Sequence, residues 1–341
     1  MIQQALQRIL DGHDLGRDEA REVMGEIMRG EATAAQIGGF LIALRGKGET
    51  PDEIAGCAEA MREHALPVQP RRDDLVDTAG TGGDGAHTIN ISTAAALVAA
   101  AAGAAVAKHG NRAVSSACGS ADVLEALGFM LEQEPERIAQ SIDELGFGFL
   151  FAPSHHPAMR HAAPIRKELA TRTVFNVLGP LTNPAGARAQ VVGVYSPSLV
   201  RTLAEVLARL GARRAFVVHG AGGIDELSPV GPNLVGEVVD GAVRERELDP
   251  EVELGLPRCS VAELRGGTPG ENAEAIRDVF AGADGGRRNA ILLNAAGAIA
   301  AAGHASDLRD GLELARETVD SGAAAERLER LIAFSRGTVV A

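Results

Sequence analysis

The feature that most limits how this chain can fold is a glycine-rich stretch, Asp77-Thr-Ala-Gly-Thr-Gly-Gly-Asp-Gly85, with four glycines in nine residues. We call residues 77–85 the glycine loop. Glycines between a strand and a helix let the backbone adopt positive φ and approach a ligand closely. Ser92 or Thr93 is expected to cap the next helix, so that its free N–H groups face this loop. The pattern predicts a phosphate site, and a tight turn without a ligand is the alternative.

The spacing of these glycines argues against two common nucleotide-binding loops. It matches neither the GxGxxG pattern of dinucleotide-binding folds nor the GxxxxGK[ST] pattern of NTPases. We therefore expect a phosphate-bearing ligand that is bound by a loop of neither class.

The chain is long enough for two domains. Its 341 residues exceed the roughly 250–300 at which a single core stops growing. Hydrophobic residues make up 45% of the chain, but there is no Trp, one Tyr and nine Phe. The interior must therefore consist mainly of alanine and aliphatic side chains, which suits helices packed tightly on a sheet.

Charge and hydropathy exclude several classes of protein. A net charge of −13 disfavours nucleic acid or an anionic membrane as the main partner. The longest apolar tract, 94–107, is shorter than the roughly 20 residues that span a bilayer, and no secretion signal is evident, so a cytoplasmic location is expected.

Cys57, Cys118 and Cys259 lack CxxC spacing, which predicts neither a disulfide framework nor a zinc site.

The chain divides into an N-terminal helical part and a longer α/β part. Residues 2–65 have helical periodicity, and Thr33 and Thr50 each begin a capping-box pattern. After a linker at 67–74, strand and helix patterns alternate, which predicts a mainly parallel central sheet flanked by helices. Residues 232–247 predict a β-hairpin. We therefore expect a small all-helical domain at 1–70 and a larger α/β domain at 71–341.

Polar clusters follow four of the predicted strands. Ligands collect at the carboxyl ends of strands in such sheets, so these clusters are expected to meet at one edge. The clusters are the glycine loop with Asn90-Ile-Ser-Thr93, residues 108–120, residues 152–161 with Arg166, and residues 222–226. Ser120, the last residue of the second cluster, is expected to cap the helix that follows it.

Asp225 and Glu226, which we call the acidic pair, follow a buried strand. Two carboxylates facing a phosphate site are typical of a Mg²⁺ site, because Mg²⁺ prefers oxygen ligands and bridges to phosphate. Ser92 is a candidate third ligand from the opposite wall. A solvated acidic pair, or a role in general acid–base catalysis, is the alternative.

The third cluster combines histidines with one arginine. His155, His156 and His161 lack the HExxH spacing and have no cysteine nearby, which argues against zinc and favours one wall of a small apolar pocket. Arg166 is a candidate for bidentate binding of a carboxylate, with an ordinary surface arginine as the alternative.

The motifs, taken in order, resemble the anthranilate phosphoribosyltransferase family over nearly the whole chain. They are Asp77 to Gly85, Asn90-Ile-Ser-Thr93, Lys108-His-Gly-Asn-Arg112, Ser115-Ser-Ala-Cys-Gly-Ser-Ala-Asp-Val-Leu-Glu-Ala-Leu-Gly128, Arg166, Phe175-Asn-Val-Leu-Gly-Pro-Leu-Thr-Asn-Pro184 and Asp225-Glu226. Ala117, Cys118 and Ala170 stand where that family often has other residues, at positions that look peripheral.

The resemblance implies a reaction and an assembly. Anthranilate would attack C1 of phosphoribosyl diphosphate (PRPP), giving phosphoribosyl-anthranilate and diphosphate in tryptophan biosynthesis, with Mg²⁺ as cofactor. It also implies a homodimer formed through the helical domain, which a segment around 166–190 would complete.

The same resemblance assigns roles to individual residues. The residues that would surround PRPP are Gly80, Gly83, Asp84, Thr88, Asn90, Ile91, Ser92, Thr93, Lys108, His109, Gly110, Asn111, Arg112, Ala113, Val114, Ser115, Ser116 and Ser120. Those that would meet anthranilate are Gly80, His109, Asn111 and Arg166. Ser92, Asp225 and Glu226 would hold Mg²⁺, and Lys108 would stabilise the leaving diphosphate. No general base is assigned, because the aromatic amine is already nucleophilic.

Two other functions fit parts of the pattern. A pyrimidine nucleoside phosphorylase shares this architecture and binds phosphate at a comparable loop, but the Lys108 to Arg112 motif and the intact acidic pair favour a diphosphate substrate. A non-catalytic relative that binds nucleic acid is disfavoured by the net charge of −13.

Overall fold

The N-terminal part consists of helices only. The computed structural model describes residues 1–113 and 117–337, and its first helices are α1 (Ile2–Leu10), α2 (Arg17–Arg29), α3 (Ala34–Lys47) and α4 (Pro51–Glu63). Thr33 and Thr50 accept hydrogen bonds from the third residues of α3 and α4, whose side chains bond back to the cap backbone. Both predicted capping boxes are confirmed.

The rest of the chain contains one seven-stranded sheet with the strand order β3-β2-β1-β4-β5-β6-β7. The strands are β1 (Leu75–Gly80), β2 (Ala105–Gly110), β3 (Phe147–Phe151), β4 (Ala189–Gly193), β5 (Arg214–His219), β6 (Asn233–Val239) and β7 (Ala242–Leu248). The first five pair in parallel, whereas β6 and β7 form an antiparallel hairpin on β5. The predicted parallel sheet and the predicted hairpin are both confirmed.

Helices cover both faces of the sheet. They are α5 (Ile91–Ala101), α6 (Ser120–Leu127), α7 (Pro135–Leu145), α8 (Ala152–His155), α9 (Ala163–Leu169), α10 (Phe175–Leu178), α11 (Ser198–Arg209), α12 (Pro250–Leu254), α13 (Pro269–Phe280), α14 (Gly286–Ala302), α15 (Leu308–Asp320) and α16 (Ala323–Ser335). In the described ranges none of these helices has the length and hydropathy needed to cross a membrane.

The two faces belong to different cores. On one face α5 and α14 pack closely, because alanines make up most of their buried positions. On the other face Val192 and Val217 share a continuous apolar core with α11 and the N-terminal helices. Phe175 and Leu178 of α10 belong to this second core. The helical part therefore packs onto the sheet through α11, which lies against both α4 and the strands β5 and β6.

Polar contacts reinforce this packing at the surface. Arg17 pairs with Glu59 and also donates to the Arg209 carbonyl, while Arg209 pairs with Asp52. Arg62 Nε donates to the Leu181 carbonyl at 2.7 Å. These contacts join α2 and α4 to α11 and to the segment after α10.

Candidate active site

The carboxyl edge of the sheet brings the predicted clusters together. The glycine loop comprises the end of β1 and the residues after it, residues 111–113 and 117–120 follow β2, residues 152–161 follow β3 and the acidic pair follows β5. Because β1 lies between β2 and β4, and β4 lies next to β5, the glycine loop is at the centre of this edge.

The glycine loop is bonded to the acidic pair. The Gly82 N–H donates to Asp225 Oδ2 at 2.7 Å, and the Asp225 N–H donates to Asp84 Oδ2 at 3.2 Å. Gly82 and Gly83 have φ values of 69° and 74°, in the region that favours glycine. A Cβ on Gly80 would lie 2.3 Å from Asp225 Oδ2, so that position has no room for a side chain.

The cap of α5 differs from the prediction that Ser92 or Thr93 would supply it. The helix begins at Ile91 with Asn90 as its N-cap, and no side chain of the cap residue bonds to the helix. Instead the Ser92 N–H donates to Glu226 Oε1 at 2.8 Å. A carboxylate from across the site thus takes one free N–H group of the helix, which the local sequence could not reveal.

The acidic pair is half-buried, and its carboxyl groups are largely withdrawn from solvent. Burial, followed by the nearby Asp84 carboxylate, raises the pKa of Asp225 to about 7. Burial and the Asp225 carboxylate raise the pKa of Glu226 well above its usual value. Glu226 Oε2 is buried and has no hydrogen-bond partner within residues 1–113 and 117–337. A small cavity beside it is lined by Thr78, Ala79, Ser92, Val191, Gly193, Asp225, Glu226 and Asn294.

These residues fit a magnesium site in which the protein supplies only some of the ligands. No group of three or more His, Cys, Asp or Glu side chains arranged to hold a metal occurs within residues 1–113 and 117–337. Mg²⁺ usually binds through one or two carboxylates together with waters and substrate phosphates. A cation would satisfy the unpartnered Glu226 oxygen and stabilise the ionised form of both carboxylates.

Lys108 is buried beneath the glycine loop, with 1% of its surface exposed. Its Nζ donates to the Thr78 carbonyl at 2.5 Å and lies 3.4 Å from Ser92 Oγ. Burial lowers the pKa of Lys108 to about 8, although Asp77 and Glu226 act in the opposite direction. The ammonium group therefore lies behind the N-terminus of α5 and close to the acidic pair.

Asp77 is a site residue that the sequence reasoning did not assign. Its carboxylate accepts hydrogen bonds from the His109 N–H at 3.1 Å and from Asn183 Nδ2 at 2.7 Å. Burial raises the pKa of Asp77 to about 6 despite the opposing charge of Lys108. An acid inside a predicted strand was the available signal, because such a residue requires partners.

The loop after β2 bonds mainly to its own helix. Arg112 pairs with Asp122 and Glu125, while Ser120 Oγ donates to the Asn111 carbonyl at 3.2 Å. Ser120 is the first residue of α6, so the expectation that it caps the helix is wrong. Gly119 is the cap and Asp122 accepts from its N–H.

Other predicted PRPP residues are distributed around this edge. Val114, Ser115 and Ser116 lie outside the described residues. Ala113 donates its N–H to Asp122. Gly110 leaves no space for a Cβ, which would lie 2.2 Å from Ser120 Oγ. Thr88 bridges to Arg265, in a segment that the sequence reasoning did not include.

Asn90 connects the site to α13. Its Oδ1 accepts hydrogen bonds from Asn272 Nδ2 at 2.9 Å and from Cys118 Sγ at 3.2 Å. Asn294 holds the other side of the site, bonding both the N–H and the carbonyl of Leu227 directly after the acidic pair. Neither Asn272 nor Asn294 could be found without the fold, because both are isolated asparagines within helices.

Two histidines form a neutral pair at the end of β2. His156 Nε2 lies 3.2 Å from His109 Nε2, and His109 Nδ1 lies 3.1 Å from the Gly179 carbonyl. Burial lowers the pKa of His109 to about 3 and that of His156 to about 4. His155 instead contacts the Leu66 carbonyl, and His161 lies against Gly30 of the helical part. The three predicted histidines therefore do not form a single wall.

Arg166 is a half-buried cation on α9. Its guanidinium carbon lies 4.9 Å from the centroid of the Phe175 ring. Within the described parts of the chain its side chain makes no ion pair or hydrogen bond. Burial lowers the pKa of Arg166. A partly buried arginine of this kind can accept a carboxylate ligand.

Comparison with known proteins identifies the family of both parts of the chain. Residues 72–325 match the a/b domain of a glycosyl transferase family, and residues 3–65 match the helical bundle domain of that family. An anthranilate phosphoribosyltransferase from Anaeromyxobacter sp. (strain Fw109-5) is 56% identical over 337 residues, covering 99% of both chains.

Solved structures extend the similarity to the whole fold. The anthranilate phosphoribosyltransferase of Thermus thermophilus is 52% identical with a TM-score of 0.92, over 97% of this chain and 99% of that one. The Saccharomyces cerevisiae enzyme in complex with PRPP and Mg is 28% identical with a TM-score of 0.88, over 98% of both chains. The chain therefore belongs to the anthranilate phosphoribosyltransferase family.

Proposed function

We propose that this protein transfers the phosphoribosyl group of PRPP to the amino group of anthranilate and releases diphosphate, in a Mg²⁺-dependent step of tryptophan biosynthesis. The observation that carries the proposal is the hydrogen bonding of the glycine loop to the acidic pair, beside a Glu226 oxygen that has no partner among the described residues. The yeast relative, solved with PRPP and Mg and also with 4-fluoroanthranilate, supports both substrates.

PRPP is assigned to the carboxyl edge of β1 and β2. The proposed PRPP residues are Gly80, Gly83, Asp84, Thr88, Asn90, Ile91, Ser92, Thr93, Lys108, His109, Gly110, Asn111, Arg112, Ala113, Val114, Ser115, Ser116 and Ser120. Backbone N–H groups at the start of α5 supply positive potential there without exposed cations. Because Arg112 already has two acidic partners, it would need to exchange them to reach a phosphate.

The reaction requires stabilisation of the charge that grows on the departing diphosphate. Mg²⁺, when bound by Ser92 and the acidic pair, would supply Lewis-acid stabilisation of the phosphate oxygens. Lys108 adds a fixed positive charge behind the N-terminus of α5. Asp77 holds the His109 backbone and opposes the loss of the proton from Lys108.

Anthranilate is assigned to the side of the site near α9. Arg166 would bind its carboxylate, while Gly80, His109 and Asn111 would contact the rest of the molecule. Because burial keeps His109 and His156 uncharged near neutral pH, they offer a neutral surface to an aromatic ring. The aromatic amine needs alignment against C1 more than it needs a base.

The assembly and the domain division belong to the same proposal. Leu10 on α1 and Ile42 on α3 are exposed apolar side chains, which supports a homodimer through the helical domain. The position of Phe175 and Leu178 in the core shared with α4 supports a helical domain of residues 1–70, completed by a segment around 166–190. Residues 71–341 would form the α/β domain.

A cytoplasmic location fits a substrate as highly charged as PRPP, which does not enter a bilayer unaided.

Light scattering tests the dimer. We expect the mass of two chains for the wild type and a smaller mass for the Leu10→Glu variant, whereas a monomeric wild type would contradict the assembly.

A fluorescence assay tests the activity. Purified protein is mixed with anthranilate, PRPP and Mg²⁺, and loss of anthranilate emission is followed, with reactions lacking PRPP or containing EDTA as controls. Consumption that requires both PRPP and Mg²⁺ is expected. No consumption by folded protein would overturn the proposed function.

A further inference from the structure

Arg172 makes a second connection to the glycine loop. It lies between α9 and α10, and its Nη2 donates to the Gly83 carbonyl at 2.7 Å. Its guanidinium carbon is 3.7 Å from the centroid of the Tyr195 ring, just after the end of β4. A charge-assisted hydrogen bond on one side and a cation–π contact on the other fix this side chain between the loop and the sheet.

The Tyr195 region also fixes the start of the loop. The Tyr195 N–H donates to Thr81 Oγ1 at 3.1 Å, and the Thr81 N–H donates to the Gly193 carbonyl at 2.9 Å. The end of β4 therefore holds the loop at Thr81 directly and at Gly83 through Arg172.

The carbonyl that Arg172 holds is next to a residue that contacts the acidic pair. Gly83 has a φ of +74°, and a Cβ there would lie 3.1 Å from Arg172 Nη2. The following residue, Asp84, accepts the Asp225 N–H. The position of Arg172 therefore affects the loop conformation in which Asp84 contacts Asp225.

We propose that Arg172 is a positioning residue that holds the glycine loop in its PRPP-binding conformation and links it to the segment carrying Arg166, with Tyr195 as the support for its guanidinium group. This inference rests on the proposed function. Without Arg172 the loop occupies this conformation for a smaller fraction of time, and the apparent affinity for PRPP falls by that fraction.

The chain contains its own optical probe for this role. Tyr195 is the only tyrosine and there is no tryptophan, so near-ultraviolet tyrosine emission reports from the ring that Arg172 covers. PRPP with Mg²⁺ is titrated into the full-length protein without anthranilate, so that the readout requires no turnover. We expect saturable emission changes in the wild type.

Variants of both partners test the role. Arg172→Met is expected to alter the emission of the free protein and to raise the KM for PRPP about tenfold, with a much smaller change in kcat. The KM of Arg172→Lys for PRPP should lie between those of the wild type and Arg172→Met, because an ammonium group does not stack on a ring as a guanidinium does. The matched control is Arg201→Met, which removes an exposed arginine of α11 that pairs with Glu205 and should leave both readouts unchanged.

Tyr195 provides a second, independent comparison. Tyr195→Phe keeps the ring and should retain the wild-type KM for PRPP, whereas Tyr195→Leu should raise it towards that of Arg172→Met. Folded Arg172→Met with unchanged KM for PRPP and unchanged tyrosine emission would overturn the inference, as would equal behaviour of Tyr195→Phe and Tyr195→Leu. An inactive wild type that still shows the PRPP-dependent emission change would refute the proposed reaction and not the positioning role.

Discussion

The two ends of the site are built on different principles. At the acidic pair, the protein supplies hydrogen bonds from Gly82 and Ser92 to half-buried carboxylates, and Glu226 Oε2 has no partner among the described residues. At the other end, Arg166 has no charged partner in the part of the chain that the structure describes, and burial keeps His109 and His156 neutral. One end suits a polyanion with a metal ion, and the other suits a flat aromatic acid with a single charge.

The affinity for each substrate should arise at a different end of the site. A diphosphate carries several charges, so its site needs many fixed donors and a counter-ion. An aromatic carboxylate needs one bidentate partner and an apolar surface. Substitutions at the two ends should therefore affect different substrates, and the following predictions are ordered by the size of the expected effect.

The largest effect is expected from the acidic pair. Asp225→Ala and Glu226→Ala should each lower kcat by about 10²–10³, because stabilisation of the leaving group is lost. Both should also raise the Mg²⁺ concentration needed for half-maximal rate. Initial rates measured across a Mg²⁺ series provide the test, and unaltered metal dependence in both variants would exclude the assigned role.

Arg166→Ala should act on the other substrate. The KM for anthranilate is expected to rise on the order of tenfold to a hundredfold, since a charge-assisted bidentate contact is removed. The KM for PRPP should change much less. Steady-state kinetics with each substrate varied in turn separates the two, with Arg201→Ala as the control. Equal increases in both KM values would count against carboxylate recognition.

Metal binding should depend on pH in a defined direction. Asp225, with a pKa of about 7, must lose its proton to bind Mg²⁺, so affinity should fall about tenfold between pH 8 and pH 6. Because this pKa is raised on folding, the metal-free protein should also lose stability as the pH rises from about 4 to 7. Calorimetric titration of Mg²⁺ at both pH values, with Asp225→Asn as the control, measures the effect. Equal affinity at pH 6 and pH 8 would contradict it.

The smallest effect is expected far from the site. Thr50→Ala removes the side-chain cap of α4 and should lower the free energy of unfolding by about 1 kcal/mol. Both KM values should stay at wild-type levels. Urea denaturation and steady-state kinetics on the same sample test this, and a raised KM would show that the helical bundle is coupled to the site more tightly than its packing indicates.

The sequence predicted the architecture well because the signals were local. Capping boxes at Thr33 and Thr50 and alternating strand and helix patterns depend on neighbouring residues. The gathering of polar clusters at one edge also followed, since parallel strands place their carboxyl ends together.

Predictions about the site were wrong where the partner of a residue is distant in the sequence. Ser92 does not cap α5 but is its second residue, and its N–H donates to Glu226, 134 residues away. Asp77, Asn183 and Arg172 make contacts that exist only once β1, β2 and β4 are assembled. Lys108 is a comparable case, because no local pattern shows that its ammonium group is buried behind the loop.

One measurement tests the division of the site most directly. Calorimetric titration of PRPP with Mg²⁺ into the wild type, Glu226→Gln and Arg166→Ala compares the two ends with a single ligand. We predict binding to the wild type, nearly unchanged binding to Arg166→Ala and strongly weakened binding to Glu226→Gln. Equal affinity for all three proteins, or a loss confined to Arg166→Ala, would contradict the account.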